Sequence, residues 1–180
     1  MFRELAGEIT RLLAYEALRD LPTRETSVET PLATAECRVL KGGIVLVPIL
    51  RAGLGMLDAM FDTVPDASVA FLGMFRDHGT AKPVEYYANI PDAEPDATAV
   101  LLDPMLATGG SASSAVAALK RKHYRRIVFI CLVSCPEGLA RFESDHPDVP
   151  VFTAAIDEKL NDVKYILPGL GDAGDRLFGT

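Results

Sequence analysis

The stretch LLDPMLATGGSASSAV, residues 101–116, decides the fold because its character changes twice within a short span. It begins as the end of an apolar run, stops at Asp103 and Pro104, and passes through Gly109 and Gly110 into a run of small residues. The segment TAVLLD predicts a buried strand and SASSAVAALKRK predicts a helix. The residues between them are therefore expected at the carboxyl edge of a sheet, where ligands bind in α/β folds.

The same alternation of strand and helix signals extends along most of the chain. Short apolar runs predict buried strands at GIVLVPIL, SVAFLGMF, RIVFICLVS and VPVFTAA, and helical patterns occur at LGMLDAMF and PEGLARFE. A first amphipathic helix is predicted, with an apolar face formed by Phe2, Leu5, Ile9, Leu12, Leu13 and Ala17. Residues 24–40 are expected to form a small hairpin or an irregular edge. This order indicates an α/β fold with a mostly parallel, twisted sheet flanked by helices.

The composition limits the classes of function that the chain can have. Its 180 residues suit a single domain, residues 1–180. The hydrophobic share is 49%, yet no apolar run reaches the ~18 to 20 residues of a membrane span. We assign the excess to the core and to the interface of a homo-oligomer, a dimer or higher. A net charge of -7 argues against nucleic acid as a partner, and we expect no membrane partner.

The three cysteines and the first residues of the chain bear on its compartment. An odd number of cysteines fits a reducing environment, and MFRELAGEIT lacks the features of a signal peptide, so we expect a cytoplasmic protein. The spacing of Cys131 and Cys135 allows a metal site as an alternative. Because no second Cys or His pair accompanies them, we favour buried packing, and we predict no metal held by the protein alone.

The segment from Thr108 to Ser111 has the features of a phosphate-binding loop. Backbone N–H groups at a helix N-terminus attract anions, glycines permit close approach, and Thr108 and Ser111 add hydroxyl groups. The lysine of a nucleotide P-loop is missing, which favours a monophosphate. Asp103 is placed to bind the hydroxyls of a sugar whose phosphate lies in this loop. The alternative is a tight strand-to-helix turn capped by Ser111.

Together with VPILRAGLGM and YILPGLGDAGDRLFGT, the motif DPMLATGGS resembles the uracil phosphoribosyltransferase family, and the resemblance covers the chain from Phe2 to Thr180. It implies the phosphoribosyltransferase fold, with a base-binding hood formed mainly by residues 151–180. It also implies a pentosyltransferase of pyrimidine salvage that converts uracil and 5-phosphoribosyl 1-diphosphate to UMP and diphosphate. Mg²⁺ is implied as a cofactor that arrives with the substrate phosphates.

The resemblance also assigns residues. It gives catalytic roles to Asp103, Arg76 and Asp172, and contacts to the diphosphate to Arg51 and Arg76. The ribose and its phosphate are assigned to Asp103, Pro104, Met105, Leu106, Ala107, Thr108, Gly109, Gly110 and Ser111. Uracil is assigned to the backbone at Ile166, Gly171, Asp172 and Ala173. The four glycines of GLGDAGDRLFG are too many for an ordinary helix or strand, so an ordered loop is expected there.

Two other functions remain as alternatives, and one segment has an expected motion. A pyrimidine-sensing regulator that binds RNA through KRKHYRR would keep the same fold, although this cluster suits the solvated end of a helix. A transferase for a purine or for orotate is disfavoured because the base loop follows the uracil type. Residues 76–87, RDHGTAKPVEYY, are expected to form a mobile flap over the diphosphate.

Overall fold

Helices and strands alternate along the chain. This computed structural model describes residues 1–76 and 83–180, without the side chains of Phe75, Arg76 and Pro83. In that part the helices are α1 (Phe2–Leu18), α2 (Leu54–Thr63), α3 (Gly110–Arg121), α4 (Pro136–Asp145) and α5 (Ala173–Phe178). The strands are β1 (Thr23–Glu29), β2 (Thr34–Leu40), β3 (Ile44–Leu50), β4 (Ser68–Val69), β5 (Phe71–Arg76), β6 (Pro83–Asn89), β7 (Thr98–Leu102), β8 (Met105–Leu106), β9 (Arg126–Ser134), β10 (Val151–Ile156), β11 (Lys159–Leu160) and β12 (Ile166–Leu167).

A mostly parallel sheet forms the centre of the molecule. Its strands follow the order β10-β9-β7-β3-β5-β6, with β4 beside β3 and β8 beside β9. All of these pairs are parallel except β5 with β6. The hairpin of β1 and β2 and the small sheet of β11 and β12 are antiparallel and lie outside it. The predicted α/β class and mostly parallel sheet are confirmed.

Each central strand buries side chains on both faces of the sheet. In β7, Ala99 and Leu101 join one core cluster, whereas Val100 and Leu102 join the other. The first cluster includes the apolar residues of α3 and Phe142 of α4, and the second includes those of α1 and α2. This double burial explains why the strands read as continuous apolar runs in the sequence.

The first helix is confirmed, but its predicted apolar face is only partly right. The residues that α1 buries are Ala6, Thr10, Leu13, Ala14 and Ala17. Their small side chains let the helix pack closely on the sheet and on α2. Of the predicted face, Leu13 and Ala17 are buried, whereas Leu5 is 49% exposed and Leu12 is 71% exposed, so only part of that face meets the core.

Other predicted elements differ in detail. The run SVAFLGMF forms two strands, β4 and β5, instead of one. Residues 83–87 of the expected flap belong to β6, which pairs with β5, and residues 77–82 lie outside the described part. The glycine-rich end does contain a helix, α5. Gly171 and Gly179, with φ of 74° and 75°, lie before and after this helix and do not interrupt it.

Among the described residues, no helix combines the length and apolar character that a membrane crossing requires.

Candidate active site

Two charged side chains lie at the carboxyl edge of the sheet, each directly after a central strand. Arg51 follows β3 and Asp103 follows β7, and these strands are neighbours. Both strands are held by the core on their two faces, so the positions of the following residues are set by the sheet. The backbone N–H of Asp103 donates to the carbonyl of Ile130 in β9 at 3.3 Å. The predicted placement of Asp103 at the sheet edge is confirmed, and Arg51 lies at the same edge.

The chain after Asp103 forms a short loop that leads into α3. Pro104 accepts hydrogen bonds from Leu132 and Val133 of β9 at 2.9 and 3.1 Å, and β8 then pairs with β9. A small cavity of about 60 Å³ opens on this loop, lined by Asp103 and residues 105–112. The predicted phosphate-binding residues from Met105 to Ser111 therefore surround one cavity.

The start of α3 leaves backbone donors at this cavity. The N-cap residue is Gly109, with φ of 76°, and a glycine has no side chain that could cap the helix. The first helical hydrogen bond runs from Ser113 N to Gly109 O at 2.9 Å, so the N–H groups of Gly110, Ser111 and Ala112 precede it. Together with the helix dipole, these groups suit an anion. The alternative of a turn capped by Ser111 is wrong, because the cap is a glycine in the left-handed region.

The carboxyl group of Asp103 has unusual electrostatics. Although part of the residue reaches the surface, protein atoms surround its carboxyl group. This burial raises the pKa of Asp103 to about 7, and the negative charge of Asp172 adds to the rise, while a hydrogen bond from the Met105 backbone opposes it. Near neutral pH the group therefore lies close to its point of half-ionisation, and a ligand that donates to it would favour the charged form.

Asp172 faces the same space from the other end of the chain. It is the N-cap residue of α5, and its Oδ1 accepts a hydrogen bond from Asp175 N at 3.0 Å. Asp175 in turn lies 3.7 Å from the guanidinium of Arg51. The helix α5 is held against the N-terminus, because Arg3 Nε donates to Leu177 O at 3.0 Å.

The C-terminal sheet of β11 and β12 packs beside the phosphate loop. Ile166 is 2% exposed and forms a small apolar cluster with Val133 and Cys135, against which Met105 and Ala107 pack. This contact fixes the C-terminal segment against the loop that begins at Asp103. The turn before β12 is held by Asn161, whose Oδ1 accepts from Val163 N at 3.1 Å and Tyr165 N at 2.8 Å.

A larger cleft of about 660 Å³ lies between the loops after β3, after β7 and before α5. It is lined by Leu50, Arg51, Ala52, Met74, Tyr86, Met105, Ala107, Lys164, Tyr165, Gly171, Asp172 and Gly174. Of the predicted residues, it brings together Arg51, Met105, Ala107, Gly171 and Asp172.

The predicted residues Pro104, Ile166 and Ala173 line neither this cleft nor the small cavity. Ile166 and Ala173 are buried, so any contact they make with a ligand is by way of the backbone. The side chain of Arg76 lies outside the described part, although its backbone belongs to the end of β5.

Sequence reasoning missed several cleft residues, among them Met74, Tyr86 and Lys164. One local signal for Tyr86 was available, namely Gly73 inside an apolar strand. A Cβ atom at Gly73 would lie 2.6 Å from Cζ of Tyr86, so the glycine makes room for the ring. Lys164 has φ of 68° in the turn before β12, a conformation that no pattern of its neighbours predicts.

Comparison with known proteins agrees with this geometry. The model of the family described as uracil phosphoribosyltransferase matches residues 1–180. A uracil phosphoribosyltransferase of Acholeplasma laidlawii is 54% identical over 179 residues, which cover 99% of this chain and 86% of the relative. The chain belongs to the uracil phosphoribosyltransferase family. The enzyme of Dictyoglomus turgidum is 53% identical over 180 residues, with 99% of this chain and 87% of the relative covered.

Solved structures confirm the phosphoribosyltransferase fold. The AQ2163 protein from Aquifex aeolicus superposes with a TM-score of 0.93 at 39% identity, covering 99% of this chain and 86% of that chain. A hypoxanthine phosphoribosyltransferase from Staphylococcus aureus shares the fold with a TM-score of 0.60 at 13% identity, over 88% of this chain and 76% of that one. Family membership confirms the predicted enzyme class and leaves the alternative of an RNA-binding regulator without support.

Proposed function

We propose that this uracil phosphoribosyltransferase converts uracil and 5-phosphoribosyl 1-diphosphate to UMP and diphosphate in the cleft described above. The observation that carries the proposal is the adjacency of three features at one sheet edge. The phosphate loop starts at Asp103, Arg51 follows the neighbouring strand, and Asp172 brings its charge close to Asp103. A sugar that carries a phosphate at one end and a diphosphate at the other needs such a set of groups.

Each group takes a role in this proposal. The N–H groups at the start of α3 bind the 5′-phosphate, and Asp103 accepts hydrogen bonds from the ribose hydroxyls. Arg51 contacts the diphosphate, and we assign Arg76 to the same group by family resemblance. The bond from the anomeric carbon to the diphosphate oxygen breaks, the bond to uracil N1 forms, and the N1 proton is lost. Catalysis then rests on positioning and on stabilising the charge of the leaving group.

Mg²⁺ fits this site as a partner of the substrate. Among residues 1–76 and 83–180, no group of three or more His, Cys, Asp or Glu side chains is arranged to hold a metal ion. A Mg²⁺ ion bound mainly by phosphate oxygens and water needs no such group, and the nearby carboxylates of Asp103 and Asp172 suit its preference for oxygen. When bound, it would neutralise part of the charge that develops on the diphosphate.

Uracil is proposed to bind to the backbone near Ile166 and in the segment from Gly171 to Ala173. The carbonyls of Tyr165 and Leu167 accept hydrogen bonds from Asn161 and Glu158, at 2.8 and 2.9 Å. Because alternate residues of a strand direct their polar groups to opposite sides, the N–H and C=O of Ile166 face away from β11. They are therefore available to the edge of a base, and Gly171 and Ala173 lie in the following segment.

This backbone edge predicts a preference for uracil over cytosine. Cytosine replaces a carbonyl acceptor with an amino donor, and a backbone N–H cannot rotate to become an acceptor. The mismatch costs ~1 to 3 kcal/mol for each buried group, so we expect kcat/KM to favour uracil by at least ~100-fold. Parallel measurements of kcat/KM with both bases test the preference, and similar values would contradict the backbone edge.

We also propose that the chain forms a homo-oligomer in the cytoplasm. Large apolar side chains of α1 face outward, with Leu12 71% and Tyr15 65% exposed, and Leu32 in the β1–β2 hairpin is 97% exposed. Such surfaces favour association. The free cysteines Cys37, Cys131 and Cys135 suit a reducing compartment. Light scattering should give a mass of at least two chains, and a monomer at micromolar concentration would contradict the proposal.

The proposed reaction is tested by following UMP and diphosphate with purified protein. Uracil and 5-phosphoribosyl 1-diphosphate are supplied with Mg²⁺ or with a chelator, and orotate and hypoxanthine serve as control bases. UMP and diphosphate should form in equal amounts, and only with Mg²⁺ and uracil. Product from a control base at the rate seen with uracil would assign the enzyme to another base.

A further inference from the structure

The phosphate loop rests on α4 along much of its length. At the start of this helix, Sγ of Cys135 lies 3.2 Å from Ala107 O and 3.7 Å from Leu106 O. A Cβ atom at Gly138 would collide with the same two carbonyl oxygens, so α4 approaches the loop backbone directly. The carbonyls of this part of the loop therefore face α4, which directs them away from the cavity.

The middle of α4 covers the glycine at which α3 begins. A Cβ atom at Gly109 would lie 3.0 Å from Cγ of Arg141 and 3.1 Å from Gly138 O. The Arg141 side chain is itself held, because its Nε lies 3.1 Å from Oδ2 of Asp145 on the same helix. The left-handed turn at Gly109 is thus in close contact with α4.

The residue that follows α4 contacts the first turn of α3. His146 is 9% exposed, and its Nε2 lies 3.0 Å from Ser113 O, while its Nδ1 lies 3.4 Å from Nζ of Lys120. A carbonyl can only accept and an ammonium can only donate, so Nε2 carries the proton and Nδ1 accepts. Lys120 is held in turn by Asp148 at 2.6 Å. This chain of contacts fixes the orientation of the imidazole.

We propose that His146 is a positioning residue for the phosphate loop, and that Cys135 supports it from the other end of α4. Three contacts, at Ala107, Gly109 and Ser113, extend from the middle of the loop to the first turn of α3. The N-cap residue Gly109 has no side chain that could cap α3, so the direction of the first N–H groups depends on how the helix is held from behind. The inference rests on the proposed function only for the identity of the bound sugar phosphate.

The proposed role differs from general packing in what it predicts. The ring of His146 also packs edge-on against Phe142, with centroids 5.6 Å apart, and a phenylalanine at 146 would keep that contact. Such a variant loses only the two polar contacts of the imidazole. If these contacts position the loop, the loss falls on the affinity for the sugar phosphate and leaves uracil binding alone.

The test uses ribose 5-phosphate as the probe and His146→Phe as the variant, in the full chain. Its Kd is measured by calorimetry, alongside KM for each substrate of the reaction and Tm. Because one hydrogen bond within a protein contributes a net energy that corresponds to about tenfold, we expect Kd for ribose 5-phosphate and KM for the diphosphate substrate to rise about tenfold. KM for uracil should stay within about twofold by the same reasoning.

Two further variants complete the test. His146→Gln retains a side-chain donor and should restore most of the affinity. Lys122→Met is the matched control, because Lys122 lies near Lys120 but pairs with Asp92 and does not contact His146. This control variant should bind ribose 5-phosphate like the wild type. If His146→Phe does not fold, Cys135→Ala and Cys135→Ser provide the same comparison at the Ala107 contact, with the serine variant keeping a donor.

The outcomes separate this inference from the proposed reaction. An unchanged Kd for ribose 5-phosphate in folded His146→Phe overturns the positioning role, as does an equal rise in KM for both substrates. A wild-type protein that does not bind ribose 5-phosphate also overturns it. If the wild type binds ribose 5-phosphate and the variant loses affinity, but no UMP forms, the positioning role stands and the proposed reaction fails.

Discussion

Replacing Asp103 with asparagine should make the protein more stable and less active. Burial raises the pKa of this carboxyl from 3.8 to about 7, so the folded protein tolerates the ionised form poorly. At about 1.4 kcal/mol for each tenfold change in proton affinity, ionised Asp103 costs the unliganded fold up to about 4 kcal/mol above pH 7. Asparagine has nearly the same shape and no charge, and its side-chain oxygen can still accept from the Met105 backbone.

The sign of the effect follows from proton binding. Between the unfolded pKa of 3.8 and the folded pKa of about 7, the native state holds more protons at this group than the unfolded state. The contribution of the wild-type Asp103 to stability is therefore greatest at low pH and is lost as pH rises through about 7. The stability gained by Asp103→Asn should grow by about 2 kcal/mol between pH 5.5 and pH 8.5 and level off above that.

Chemical denaturation of both proteins across this pH range measures the gain. Asp66→Asn, in the exposed turn after α2, is the matched control and should show no such pH dependence. Asp103→Asn also loses a charge-assisted hydrogen bond to the ribose, worth ~1.5 to 3 kcal/mol, so its kcat/KM should fall by at least about tenfold. The kcat/KM of Asp66→Asn should not change. A difference in stability that stays constant with pH would refute the argument that the buried carboxylate is costly.

Two further predictions concern ionisable groups. Binding of the diphosphate substrate at pH 6.5 should release between about half and one proton, because the ribose hydroxyls donate to Asp103 and favour its ionised form. Calorimetry in buffers of different ionisation enthalpy measures this release. Asp103→Asn should lose it, and equal heats in all buffers would contradict it. A thiol reagent should modify Cys37 in the native protein and all three cysteines after unfolding. Cys131 and Cys135 are buried and have raised pKa values, to about 12 for Cys131, so rapid native modification of either would contradict this.

The parts of the site that could be predicted from sequence are those with local causes. Asp103 and Gly109 follow an apolar strand and precede a helix, and chain geometry alone places them at one sheet edge. Arg51 was assigned by the family resemblance, and it likewise follows an apolar strand. The sheet itself was predictable because strands buried on both faces are continuous apolar runs, which few other structures require.

The parts that were missed depend on contacts between distant segments. The face of α1 was assigned only in part, because Ala6 and Ala14 were left out of it, although small residues are what allow close packing on the sheet. Strand β6 has no buried run of its own and depends on pairing with β5, so Tyr86 could not be placed in the cleft. His146 reaches Ser113 across 33 residues of chain, and no spacing in the sequence indicates that contact.

The two halves of the cleft depend on different parts of the chain. Arg51 and Asp103 extend from β3 and β7 in the middle of the sheet, whereas β11, β12 and α5 belong to the last residues of the chain. The cleft residues Lys164, Tyr165, Gly171 and Asp172 of that last segment are not members of the core clusters that the central strands form. If the roles are as proposed, the residues that meet the base can therefore change without disturbing the strands that carry Arg51 and Asp103.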